Sequence, residues 1–355
     1  MIGGIEVLLA QLLPGLRAAG HEVHVITSAR PGAAATEEID GVTIHRLALD
    51  EALVARDLTA VLGAERAIVE LRGALRPDVI HVHDPGGAAW FQLRTRGDDR
   101  TPIVLTMHIT LDHFEGGAAS IVGGSLHHAD RVVAVSHAVQ RDVIRMAPSA
   151  ATKTVVIHNG VRLPAIEPPP VPLDPPLLVA VGRLHKNKGF DVAIEAFGRI
   201  ARRHPRLRLL VVGDGPQGGS LRELARGIGV ADRVEWLGVR PNSDVALALT
   251  RATLVLMPSR YEGFPLVALE SGGLGRVVVG ARTPGLDEAV EDGRTGVLVP
   301  VDDVGALAAA IDALLGDPDH LRELGRAARD RVTTEFSFDR CVIAHDDLYR
   351  SLVAL

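Results

Sequence analysis

Residues 175–200 read PPLLVAVGRLHKNKGFDVAIEAFGRI, and this stretch decides the fold. The apolar run Leu177–Val181 is too short for a helix and is stopped by Gly182, as expected of a strand buried on both faces. From Phe190 to Arg203 apolar residues recur at helical spacing. Strand, loop and helix in this order form one βα unit, and a loop leaving the carboxyl end of a parallel strand is where such sheets bind ligands. That loop holds Arg183 and Lys188, just before a helix amino terminus that favours anions. Arginine offers a planar fork of donors and lysine a compact charge, a combination suited to a diphosphate. Taken alone, the same residues also read as a solvated basic loop.

The βα pattern repeats outward in both directions. Downstream, runs at 207–212, 234–237, 254–257, 277–279 and 296–299 read as strands. Helical patterns cover 219–227, 266–271, 303–315 and 320–336. Upstream, runs at 22–26, 79–82, 102–106, 131–135 and 154–158 read as strands, with helical patterns at 5–18 and 53–75. Between the two series, residues 161–176 carry seven prolines and no apolar periodicity, so they form neither helix nor inner strand. The predicted fold class is α/β, with two doubly wound Rossmann-like domains facing across a cleft. The first is placed at 1–165, the Pro-rich linker at 166–176 and the second domain at 177–338. A last helix near 340–355 is expected to cross back to the first domain.

Composition agrees with this class. The chain has 355 residues, enough for two domains, with 47 % hydrophobic and only 3 % aromatic residues, so its cores are aliphatic. With 38 basic against 44 acidic residues the net charge is −6, which argues against a general nucleic-acid-binding surface. The single cysteine, Cys341, excludes an internal disulfide and a cysteine zinc site. With no apolar run of spanning length and no secretory pattern, the expected location is cytoplasmic, with peripheral contact at the inner face of a membrane left open.

A second chemical signal is RYEGFPLVALESGG at residues 260–273. Glu262 and Glu270 stand eight residues apart, and Pro265 suits the first turn of a helix. This places Glu262 just before the helix and Glu270 two turns in. Amides near Gly263, Phe264, Leu266 and Val267 are available to a phosphate or sugar, whereas Pro265 has no N–H. Carboxylates accept hydrogen bonds from sugar hydroxyls.

Together, and in this order, VGRLHKNKGF (181–190), VGDGP (212–216), PSRYEGFPLVALE (258–270) and DGRTGVLVP (292–300) resemble the retaining glycosyltransferase family 4, of the GT-B fold. In the first domain GGIE (3–6), GHEVHVIT (20–27), PDVIHVH (77–83), TMH (106–108), VAVS (133–136) and VIHNGV (156–161) extend the resemblance over nearly the whole chain. It implies transfer of a hexose from a nucleotide-diphosphate sugar to an acceptor, with retention of anomeric configuration and no metal or other cofactor. A UDP-sugar is favoured and a GDP-sugar comes second. It further implies that Arg183 and Lys188 hold the diphosphate, that Glu262 binds the transferred sugar and that Glu270 binds the ribose. The Gly263–Val267 backbone would line the phosphate and sugar, with Val239 and Arg240 near the base. His108 would reach the sugar from the first domain, and Gly3 and Gly4 would let the backbone approach the donor. His83 and Asp84 are weaker acceptor-side candidates. The acceptor stays open among a polysaccharide, a lipid-linked sugar and a small metabolite.

Three patterns compete. Gly213-Asp-Gly-Pro-Gln-Gly218, with Glu235 some 20 residues on, fits a dinucleotide fingerprint and hence an NAD(P)-dependent oxidoreductase. That reading leaves Arg183 and Lys188 without a task. Paired glutamates also fit a glycoside hydrolase, although both lie in one short segment here. Asp317-Pro-Asp319 matches a metal-binding Asp-x-Asp, but its position suits capping of the helix at His320. The sequence departs from the family at its start, where Met1-Ile2 directly precedes Gly3 and a central first strand is expected. A first domain with one strand fewer and a poorly anchored Gly3–Gly4 loop is predicted. An inactive sugar-nucleotide-binding homologue is the corresponding alternative. Arg276, where the family has a small residue or proline, has no explanation in the sequence.

Overall fold

The computed structural model describes residues 4–55, 57–83, 85–111, 117–163 and 168–354. The chain forms two compact units. One comprises Asn159–Arg340 with the first residues to Val7, and the other Leu8–His158 with Cys341–Leu355.

The first half of the chain runs α1 (Gly4–Ala18), β1 (His24–Ser28), β2 (Thr36–Ile39), β3 (Val42–Leu47), α2 (Leu49–Ala55), α3 (Leu58–Leu75) and β4 (Ile80–Val82). It continues with α4 (Gly87–Arg94), β5 (Ile103–Met107), α5 (Ile121–His128), β6 (Arg131–Ala134), α6 (His137–Met146) and β7 (Thr154–Val156). Its strands fall into two sheets, β1–β3–β2 and β4–β5–β6–β7, with no ladder joining them among the described residues. All residues of β5 are buried, while every residue of β1 is half-exposed. A sheet with one strand fewer was the expectation; among the described residues β1 and β4 each have a strand neighbour on one side only. Leu49, Ala52, Ala64, Ile68 and Phe91 form a small core from α2, α3 and α4, with Ile26 and Leu47 packed on it.

Two sequence readings are corrected in this unit. Gly4, expected in a loop, opens helix α1; Gly3 lies outside the described residues. The helix read at 53–75 is two helices, because the Asp57 side chain accepts from Thr59 N at 2.8 Å and caps α3. The hairpin β2–β3 was not read from the sequence. Its turn residues Asp40 and Gly41 have φ of 52° and 74°, the pair of left-handed conformations that matches strand twist in a two-residue hairpin.

The second half runs β8 (Leu177–Val181), α7 (Phe190–Ile200), β9 (Arg208–Val212), α8 (Gly218–Gly227), β10 (Val234–Gly238), α9 (Asn242–Thr250) and β11 (Leu254–Met257). Then follow α10 (Leu266–Gly273), β12 (Val277–Ala281), α11 (Leu286–Ala289), β13 (Gly296–Val299), α12 (Val304–Gly316), α13 (Pro318–Glu335) and α14 (Phe338–Val353). The six strands β8–β13 form one parallel sheet in the order β10-β9-β8-β11-β12-β13. Strand order reverses between β8 and β11, which makes their carboxyl ends the topological switch point. On α7, Phe190, Ile194, Phe197 and Ile200 recur at three- and four-residue spacing and pack with Leu307 and Ile311 of α12 in the core. No helix of the described residues is long and apolar enough to cross a membrane.

The far end of α14 belongs to the Leu8–His158 unit. His21 Nε2 lies 2.7 Å from Asp346 Oδ1, Arg350 donates to the Ala19 carbonyl, and Tyr349 packs edge-on against His21.

Candidate active site

Lys188 is set by the turn that ends the β8 loop. Residues Lys186–Lys188 form one 3-10 turn, and Gly189 then adopts φ 65°, ψ 27° before α7 begins. A Cβ at Gly189 would lie 2.0 Å from the Pro258 carbonyl oxygen, so only glycine allows this approach. The β11 loop is tied to the same turn by Arg260. Its backbone N–H donates to the Asn187 carbonyl at 2.7 Å. Its guanidinium donates to both carboxylate oxygens of Asp191, at 3.1 and 2.7 Å, and to the Lys186 carbonyl, and pairs with Asp302 at 2.8 Å. Burial opposes ionisation of Asp191, but hydrogen bonding and charge from Arg260 outweigh it and hold the carboxyl below its usual range.

Across this junction Lys188 and Glu262 meet. Lys188 Nζ donates to Oε1 of Glu262 at 2.7 Å and to Oε2 at 2.8 Å, and Glu262 is only 7 % exposed. Asn159 Nδ2 donates to the Phe264 carbonyl at 3.0 Å and so anchors the turn that follows Glu262. Pro265 caps α10, and the amides of Leu266 and Val267 are first-turn donors without intrahelical acceptors. Gly263 and Phe264 are buried in the same turn. The structure thus gathers Lys188, Glu262, Gly263, Phe264, Pro265, Leu266 and Val267 at the switch point.

Other candidates stand differently. The Arg183 side chain is exposed in the same loop and has no ion-pair partner among the described residues. Glu270 is the fifth residue of α10, little more than one turn in rather than two. Its partial burial raises its carboxyl pKa by desolvation. Val239 and Arg240 are exposed beyond β10, an edge strand, and no hydrogen bond joins their side chains to Lys188 or Glu262. Asn159 and Arg260 were not singled out from the sequence. Asn159 lies within the VIHNGV stretch and Arg260 two residues before Glu262, but neither position alone distinguishes an anchor from a surface residue.

The glycines of the dinucleotide-like run are consumed by packing. A Cβ at Gly213 would lie 1.9 Å from the Gly182 carbonyl oxygen, and one at Gly215 would lie 2.6 Å from that of Leu184. Leu184 N donates to the Asp214 carbonyl, and Gln217 N to that of Leu184, both at 3.0 Å. The run therefore braces the Arg183 loop against its neighbouring strand end. Gly213→Ala is expected to destabilise the protein by about 2–3 kcal/mol, since φ of 135° and the carbonyl both exclude a side chain. Denaturant unfolding measures this, and a change below about 0.5 kcal/mol contradicts it.

In the Leu8–His158 unit, His108 follows β5 and its Nε2 lies 3.0 Å from Nδ1 of His83. His83 stacks on His81 with centroids 4.1 Å apart. His81 Nδ1 is 2.5 Å from the Tyr349 hydroxyl, and its Nε2 is 2.6 Å from Thr106 Oγ1. Desolvation, then the charge of His345, lowers the His108 pKa to about 4. Desolvation and neighbouring histidines push His81 and His83 well below the ordinary value. These rings are neutral at pH 7 and act as hydrogen-bonding groups. In the unfolded chain they protonate near 6.5, so between that value and the lower folded values the unfolded state binds more protons. Stability accordingly falls as pH drops below 6.5, with a loss from His108 on the order of 3 kcal/mol by pH 4. Thermal unfolding between pH 7.5 and 4 measures this; His108→Asn is expected to flatten the slope, and an unchanged slope in the variant contradicts the assignment. Asp84 lies outside the described residues.

A cavity of about 420 Å³ in this unit is lined by Arg72, Arg76, Arg96 and Asp99, at the amino ends of β4 and β5 and away from His83 and His108. Asp317 Oδ1 accepts from His320 N at 3.0 Å and caps α13, while Asp319 pairs with Arg322. Within each unit taken by itself, no three His, Cys, Asp or Glu side chains bring ligand atoms within 4.8 Å of one another among the described residues.

Mostly parallel sheets covered by helices in each unit, matched by solved GT-B glycosyltransferases, define the class as GT-B. Residues 2–164 match the family model described as Glycosyltransferase Family 4, and residues 164–331 match Glycosyl transferases group 1. Glycogen synthase of Mycobacterium tuberculosis is 30 % identical over 379 residues, covering 98 % of this chain and 91 % of the relative. Sucrose-phosphate synthase of Thermosynechococcus elongatus superposes with a TM-score of 0.85 at 26 % identity, covering 99 % of this chain and 94 % of that one. Anabaena HepE, solved with UDP and glucose, superposes with a TM-score of 0.82 at 20 % identity, covering 98 % and 96 %. The chain belongs to glycosyltransferase family 4, and the protein is a transferase of that type.

Proposed function

We propose that the protein transfers a hexose from a UDP-sugar to a carbohydrate acceptor, with retention of anomeric configuration and without a metal. The observation that carries this is the Lys188–Glu262 pair, held at the switch point beside the amino end of α10. Arg183 and Lys188 offset charge on the diphosphate as the bond from C1 to the phosphate oxygen breaks. Glu262 accepts from hydroxyls of the transferred sugar. The acceptor oxygen bonds to C1, and its proton passes to the leaving phosphate. UDP is preferred over GDP because the HepE structure holds UDP and glucose. A carbohydrate acceptor is favoured because the names of two relatives refer to glycogen and to sucrose phosphate.

Thermal unfolding against UDP, GDP and their sugars tests this reading. A ligand at 100 times its Kd stabilises the folded state by about 2.7 kcal/mol. A shift with one nucleoside diphosphate is expected, reduced in Arg183→Ala. Transfer is expected to survive EDTA. Absence of a shift with any nucleotide overturns the donor assignment, and EDTA inactivation reversed by Mn²⁺ overturns metal independence.

A further inference from the structure

The cation and the carboxylate assigned to the donor neutralise one another. Both carboxylate oxygens of Glu262 accept from Lys188 Nζ, at 2.7 and 2.8 Å. The two backbones carrying this pair are tied together by Arg260, through its N–H to Asn187, its guanidinium to Asp191 and its bond to the Lys186 carbonyl. The pair is therefore prearranged. A carboxylate that holds an ammonium from both oxygens competes with any phosphate for that ammonium.

The two nucleotides of the reaction meet this competition differently. A sugar nucleotide brings a phosphate for Lys188 and hydroxyls for Glu262, so both partners of the broken pair are re-satisfied. A bare nucleoside diphosphate brings a phosphate only, and it would leave a carboxylate of 7 % exposure without its hydrogen bonds. We propose that the Lys188–Glu262 ion pair makes the site discriminate the sugar nucleotide from its nucleoside diphosphate product. Once the sugar has left, Glu262 recaptures Lys188 and the grip on the diphosphate weakens, which speeds product release. This rests on the reading that Lys188 binds the donor diphosphate. It adds that the acidic residue acts against product as well as for the sugar.

Glu262→Gln tests it, because the amide keeps the shape and removes the charge. Titration of UDP and of UDP-glucose into wild type and variant gives the four affinities, and UDP inhibition of turnover gives a kinetic counterpart. UDP is expected to bind the variant at least about fivefold more tightly. UDP-glucose is expected not to tighten, so the preference for donor over product collapses while transfer falls. Glu262→Ser, with a smaller uncharged side chain, is expected to move UDP affinity in the same direction and guards against a folding defect in one variant. Wild-type binding of UDP with unchanged or weaker UDP binding in both variants overturns the inference and leaves the donor assignment standing. Failure of wild type to bind either ligand overturns the donor assignment itself.

Discussion

Lys188→Ala is expected to lower turnover by a factor of about 10²–10³, the loss typical when one charged or hydrogen-bonding group that stabilises a developing anion is removed. The charge that grows on the leaving diphosphate needs a preorganised cation. The structure places one at the end of β8, where Gly189 and the 3-10 turn set its position and Arg260 ties that turn to the β11 loop. Arg183 in the same loop is exposed, so it can rearrange to approach a ligand but is less preorganised. Lys188→Ala should therefore cost more turnover than Arg183→Ala. The variant also leaves Glu262 with its bidentate partner gone. Lys188 is 27 % exposed but Glu262 only 7 %, so removal of the lysine leaves a buried carboxylate unpaired, and the stability cost should be about 2–3 kcal/mol. Steady-state kinetics with thermal unfolding measures both effects. Turnover within tenfold of wild type contradicts the role of Lys188.

Arg276→Ala is expected to destabilise the protein by about 3–5 kcal/mol, the largest stability effect predicted for this chain. Arg276 precedes β12 and is 1 % exposed. Its Nε and Nη2 donate to the Thr250 carbonyl at 3.2 and 2.8 Å, its Nη1 to Leu274 at 3.1 Å and its Nη2 to Pro169 at 2.9 Å. Thr250 is the last residue of α9 and Leu274 caps α10, so one guanidinium satisfies two helix carboxyl ends, where a cation is also favoured by the helix dipole. It also fastens the Pro-rich stretch at Pro169. Burial lowers its pKa to about 10, which still leaves it charged at neutral pH. Truncation would strand these carbonyls in a buried space. A lysine cannot replace the fork, since three carbonyls from different directions need a planar, multi-armed donor. Denaturant unfolding of Arg276→Ala and Arg276→Lys checks this, and a loss below 1 kcal/mol for alanine contradicts it.

Several elements were legible because their signals are local. The strands Leu177–Val181, Leu254–Met257 and Gly296–Val299 have the bounds read from the sequence, since each is an apolar run closed by turn residues and buried in a parallel sheet. The hairpin β2–β3 escaped notice because Thr36–Ile39 is polar and largely exposed, although Asp40-Gly41 carries the turn signal. The helix break at residue 57 was missed because an apolar helical spacing continues across it and the capping bond of Asp57 does not register in periodicity. Arg276 looked like an unexplained substitution because its four hydrogen bonds reach carbonyls of residues 169, 250 and 274.

The alternation of apolar runs and helical faces determined by itself that the chain is α/β and doubly wound, because burial periodicity is written residue by residue. The ordered motifs determined which loops carry the cations and the carboxylates. Only the tertiary structure decided that Lys188 and Glu262, 74 residues apart, close on one another. That meeting depends on β8 and β11 being neighbours in the sheet, and strand order is a property of packing that no local pattern encodes.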